Sequence, residues 1–170
     1  MKAITTKFQQ TIKELTEMLE AFSTEQLNKI PFPNSWTAGQ VGDHLLKSYG
    51  SWEIFKGATE FADRQYDKNC KTLSDLFLNF NIKLIAENSD AIYPSDGYIE
   101  NENLISNIQT ISDRIISFSS RNDLRVLCLD FEFPTFEYMT RFEWLHFYAV
   151  HTQRRIKQLT KISNILNIQK

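Results

Sequence analysis

The chain has 170 residues, enough for one domain with a substantial core and too few to expect two. A formal net charge of −2, from 19 basic and 21 acidic residues, lacks the basic excess of a nucleic-acid-binding surface. Five glycines and four prolines fall well below the averages of ~7% and ~5%, so turns are few and an all-α chain is expected rather than a sandwich or barrel.

The first segment places Ile4, Phe8, Ile12, Leu15, Leu19 and Phe22 at steps of four or three, a helical stripe. It fades at Ser23-Thr24-Glu25-Gln26, where a short turn can restart, and is over by Pro31 and Pro33. A second helix begins at Thr37, because Thr37-Ala38-Gly39-Gln40 has the form of a capping box. Its inner face reads Val41, His44, Leu45, Ser48, Trp52, Phe55, which puts His44 on the buried side. Thr72 can cap a shorter helix carrying Leu73, Leu76, Phe77, Phe80 and Leu84. Asn88 to Gly97 reads as a loop, with Pro94-Ser95-Asp96-Gly97 as its turn. Leu104, Ile108, Ile111, Ile115 and Phe118 form another stripe. Val126 to Phe133 alternates like a strand near its end, but with no second strand in sight and Pro134 following, it reads as an extended connector. The last helix starts at a second capping box, Thr140-Arg141-Phe142-Glu143, and runs to about Asn164 with Phe142, Leu145, Ala149, Thr152, Ile156 and Leu159 inward.

Four long helices and a short one, partly joined by long connections, predict a four-helix bundle with crossover loops, one domain over residues 1–170. Cys70 and Cys128 form no CxxC and are expected to be reduced, partly buried thiols. The opening Met1-Lys2-Ala3-Ile4-Thr5-Thr6-Lys7 has no signal-peptide run, and no stretch approaches the ~18 apolar residues of a membrane helix. A cytoplasmic protein with neither nucleic-acid nor membrane partner is the expectation.

Phosphate-loop and dinucleotide motifs are absent, so any chemistry rests on three histidines and the carboxylates. At about 100° per residue, His146 and His151 lie about 140° apart on their helix and cannot share a small ion. The position that shares the face of His151 is four residues on, and it is Arg155. Trp144 and Tyr148 flank that face.

Ser35-Trp36-Thr37-Ala38-Gly39-Gln40-Val41-Gly42-Asp43-His44-Leu45 resembles the second-helix signature of the DinB-like superfamily of small metalloenzymes. Thr140 to Leu145 and His151-Thr152-Gln153-Arg154-Arg155-Ile156-Lys157-Gln158-Leu159 resemble its last helix. Leu73–Phe80 and Asp130–Pro134 match more loosely. The resemblance implies a four-helix bundle with a divalent metal, zinc or nickel, held by one histidine of the second helix and an HxxxH pair of the last. By position, His44 and His151 are the first two ligands; the third position is Arg155, a permanent cation. Asp43, beside His44, points about 100° away on an ideal helix.

Two readings follow. One is a metal-dependent enzyme of the thiol-dependent transferase or hydrolase type, acting on a small molecule with a low-molecular-weight thiol, in an altered His-His-Arg cleft. The other is a metal-free small-molecule or anion-binding pocket of Arg155, His44, His151 and Tyr148, or a stress-related dimeric bundle without catalysis. Either way the imidazoles of His44 and His151 should come within about 3–6 Å of each other, with His146 elsewhere.

Overall fold

Apolar stripes at helical spacing need a partner face, and here four of them provide it for one another. The computed structural model describes residues 1–84 and 91–167. Helix α1 (Lys2–Glu20) buries Ile4, Phe8, Ile12, Leu15 and Leu19. Helix α2 (Thr24–Leu27) is the single restarted turn, capped by the Ser23–Gln26 box. Helix α3 (Ala38–Gly50) starts at the Thr37–Gln40 box. Helix α4 (Cys70–Phe77) is short, α5 (Asn101–Arg121) and α6 (Arg141–Ile165) are long, and α6 starts at the Thr140–Glu143 box. In the bundle α1 packs between α5 and α6, α3 packs against the same two helices opposite it, and α4 lies on α6. Gly42 lets α3 and α5 close up: a Cβ there would lie 2.7 Å from Leu104 Cδ2. No helix among the described residues is long and apolar enough to cross a membrane.

Three details depart from the sequence pattern. The second helix does not continue through Trp52 and Phe55 as an α-helix; it tightens into a 3₁₀ segment over Ser51–Lys56 that still buries both side chains. The third helix begins before Thr72 and ends at Phe77, leaving Phe80 51% exposed. Its limits are set from outside. Asn69 N–H donates to Glu143 Oε1 at 2.8 Å at the start, and Arg154 Nη1 donates to the carbonyls of Phe77 and Asn79 at the end. Of the expected loop, residues 88–90 lie outside the described residues, and the rest carries no helix or strand.

The third departure is a sheet. Val126–Phe133 is a true strand, β2, paired antiparallel with β1 (Thr59–Phe61) and β3 (Glu137–Thr140) in the order β1-β2-β3. Cys128 faces Thr59, Phe133 faces Glu137, and a bulge between Leu127 and Glu132 shifts the register. The β2–β3 turn holds Thr135 and Glu137 at φ of 74° and 58°, conformations that cost a side chain with a Cβ. Pairing occurs because β2 has a hairpin partner immediately after it and a three-residue partner delivered by the 3₁₀ segment. Neither partner is long enough to announce itself by alternation.

Glu143 joins these parts. The carboxylate is fully buried and takes four donors: Arg64 Nη1 at 2.9 Å and Nη2 at 2.8 Å, and the backbone N–H of Asn69 at 2.8 Å and of Thr140 at 2.9 Å. The carboxylate in turn raises the pKa of Arg64. A capping residue thus also pins α4 and the chain after β1 to the start of α6. Replacing Glu143 by Ala should cost about 3 kcal/mol or more, since it strands Arg64 and two backbone N–H groups at once. Urea unfolding of Glu143→Ala beside Arg64→Met checks this, and the two losses should not add, because the residues share one interaction.

Candidate functional site

α3 and α6 meet with polar groups where apolar ones would serve packing. His44 lies on the buried face of α3, and His151 and Arg155 lie one turn apart on α6, at 3%, 5% and 9% exposure. The two Nε2 atoms are 3.0 Å apart. Arg155 Nη2 is 3.0 Å from His44 Nε2, and Arg155 Nε is 3.3 Å from His151 Nε2. Arg155 Nη1 donates to Gln158 Oε1 at 2.9 Å. Trp36 closes one side, with its ring 5.1 Å from the guanidinium carbon and 5.1 Å from the His44 ring. The His151 ring stacks on Phe147 at 5.3 Å and meets the edge of Phe77.

The partners decide the protons. His44 Nδ1 is 2.7 Å from the Ile92 carbonyl, which can only accept, so Nδ1 carries the hydrogen and Nε2 of the neutral ring is a lone pair. A guanidinium can only donate, so the nitrogen facing Arg155 Nε, His151 Nε2, is also a lone pair. The His151 hydrogen is then on Nδ1, 3.5 Å from Ser48 Oγ. Burial, then Arg155, pushes the His44 pKa down to about 4. Burial, Arg155 and His44 hold His151 well below its usual value. Arg155 is lowered to about 10, by burial and then by Arg154, and stays charged at neutral pH. The centre is one cation facing two neutral lone pairs.

A divalent metal does not fit these residues as they stand. Both imidazoles are oriented as ligands are, with Nδ1 tied outward and Nε2 inward. Their shared point, however, is taken up by the guanidinium edge. At ~4 Å and an effective dielectric of ~20, a dication facing Arg155 would lose about 8 kcal/mol. Among the described residues no carboxylate compensates: Asp43 accepts from Ser95 N–H at 2.7 Å and pairs with Lys47 at 3.4 Å. Among the described residues no group of three or more His, Cys, Asp or Glu converges for a metal.

The remaining candidates are placed elsewhere. His146 Nε2 is 2.8 Å from Ser74 Oγ and staples α4 to α6. Tyr148 is not part of the pocket expected from its face. Seven residues before Arg155, it shares the face but sits about 10 Å down the axis. There it is fully buried, bonds Ser51 Oγ at 2.7 Å, and packs on Phe8, Tyr49 and Phe55. Trp144 lies in an aromatic cluster with Phe131 and Phe133 from β2. Trp36 stands in the Ser35–Leu45 motif without a role of its own, and no sequence signal reaches the Ile92 carbonyl, a backbone group 48 residues from His44. Gln158 could have been found, being three residues after Arg155 on the same helix face.

The family model described as the DinB superfamily matches residues 7–159. Among solved structures the chain is similar to YfiT from Bacillus subtilis, at 18% identity and a TM-score of 0.63, over 99% of this chain and 88% of that one. YfiT is described as a probable metal-dependent hydrolase with an unusual four-helix bundle topology. Curated proteins contain no match.

A long-range proton–nitrogen NMR spectrum at pH 7 should find both His44 and His151 protonated on Nδ1 alone. The depressed pKa values also fix the sign of the acid response. The unfolded chain binds more protons than the native one between pH 6.5 and about 4, so stability falls as pH drops through that window. His44 alone should contribute a loss of about 3 kcal/mol, read by urea unfolding at pH 7 and pH 4.

Proposed function

This chain belongs to the DinB superfamily, and from that premise we propose that the cleft between α3 and α6 is its working site. There Arg155 binds the anionic group of a small molecule without a metal. The observation that supports this reading is the guanidinium buried against two imidazoles, with no carboxylate among its partners in the described residues. A buried cation without a counter-ion is a receptor for one. Each Nη nitrogen carries a second N–H, and such a pair grips a carboxylate or phosphate in bidentate fashion. A thiolate, the anion of a low-molecular-weight thiol, meets the same charge. An open cleft of about 610 Å³ shares Trp36 with this centre and is lined also by Gln40, Tyr93, Asp96 and Tyr98, while His44, His151 and Arg155 are not among its walls.

The same electrostatics disfavour an enzyme that begins by taking a proton. An imidazole with pKa near 4 is a weak base at neutral pH. Anions that arrive already charged suit the site better than acids that must be deprotonated in it.

YfiT's description supports a second reading, a metal-dependent hydrolase; in it, as in the thiol-dependent transferase that the sequence resemblance implies, His44 and His151 hold zinc or nickel. The inward lone pairs favour it, and it requires Arg155 to withdraw from between them.

Trp36 makes anion binding measurable, since its ring lies against the guanidinium. Titration with phosphate, acetate or a small thiolate should change its fluorescence saturably. Arg155→Gln should weaken the response by about tenfold or more, in line with loss of a charged hydrogen-bond donor. A response that is linear, or equal in Arg155→Gln, would remove the anion-site reading.

A further inference from the structure

Two imidazoles that turn their Nε2 lone pairs toward each other at 3.0 Å repel unless a positive group lies between them. In such an arrangement a metal ion is the usual mediator, with each Nδ1–H tied to an outer acceptor, as Ile92 O and Ser48 Oγ are placed to do here. Here the mediator is an edge of Arg155. Nε and Nη2 lie on the same side of the planar guanidinium, and their N–H bonds run nearly parallel. One reaches His151 Nε2 and the other His44 Nε2. Gln158 and Trp36 hold the group in that pose from the side chain's other nitrogen and from its face.

We propose that Arg155 is a built-in replacement for a metal ion: a permanent, non-exchangeable cation held by the same two lone pairs that would ligate one. The chain therefore works without a divalent metal and is indifferent to chelators. Position 155 is also the switch between the two kinds of centre. A histidine there stands four residues after His151, on the same helix face, and adds a third imidazole while removing the charge. This goes beyond the anion-site reading and does not depend on it, because metal affinity and anion affinity are measured separately.

The experiment compares wild type, Arg155→His and Arg155→Met, purified without a histidine tag. It uses elemental analysis, calorimetric titration with zinc and nickel chloride, and thermal unfolding with and without zinc or EDTA. Wild type should carry no stoichiometric metal, and neither zinc nor EDTA should move its Tm. Arg155→His should take up one equivalent of zinc, at least about 100-fold more tightly than wild type, with a raised Tm. Adding His44→Ala to that variant should abolish the gain, which separates this centre from Cys70, Cys128 and His146. One equivalent of tightly bound metal in wild type would overturn the proposal, by showing that Arg155 moves aside. A folded Arg155→His with no gain in affinity would overturn it too, since position 155 would then not face the shared point. Should Arg155→His not fold, Arg155→Met decides. It removes the charge and keeps the imidazole pair, so zinc must bind about tenfold more tightly than to wild type; equal binding overturns the claim.

Discussion

A positive charge that cannot be discharged is buried between two helices, and the neighbourhood is arranged around it. Arg155 keeps its proton even with its pKa lowered to about 10. Groups around it must therefore supply electron density or stay neutral. His44 and His151 do both: they stay neutral and turn their Nε2 lone pairs inward. The Ile92 carbonyl fixes one ring and Ser48 faces the other, so the tautomers follow from the charge and its surroundings together. Trp36 adds the face of a π-system, which attracts a cation in a desolvated site.

The adjacent arginine shows how one helix uses the same residue type twice. Arg154 leaves the centre and binds the carbonyls of Phe77 and Asn79, so it ends α4 where that helix's own pattern does not. At the other end of α6, Glu143 fixes where α4 begins. The short helix is thus delimited from both sides by α6, and Phe77, which it carries, is placed against His151. Beyond the centre, hydroxyls bind α3 and the 3₁₀ segment to α6: Tyr49 to Thr152, and Tyr148 to Ser51. Tyr148 belongs to this structural layer rather than to the pocket, because two helical turns separate it from Arg155.

Capping boxes and apolar stripes were legible because they are local. The pairs Thr37–Gln40 and Thr140–Glu143 each satisfy backbone donors three residues apart, whatever the rest of the chain does. The strand at Val126–Phe133 was not legible, because half its evidence lies in a partner of three exposed residues, Thr59 to Phe61. Long-range pairing has no signature within either segment alone.

The sequence by itself determined the all-α bundle, the order of its helices and the pairing of His151 with Arg155 on one helix face. Periodicity and a four-residue step are properties of a single helix. Only the tertiary structure decided that the guanidinium turns inward rather than out to solvent, and that it meets two imidazoles there. A long side chain can extend in several directions, and its choice depends on what a second helix, 111 residues away in the chain, presents to it.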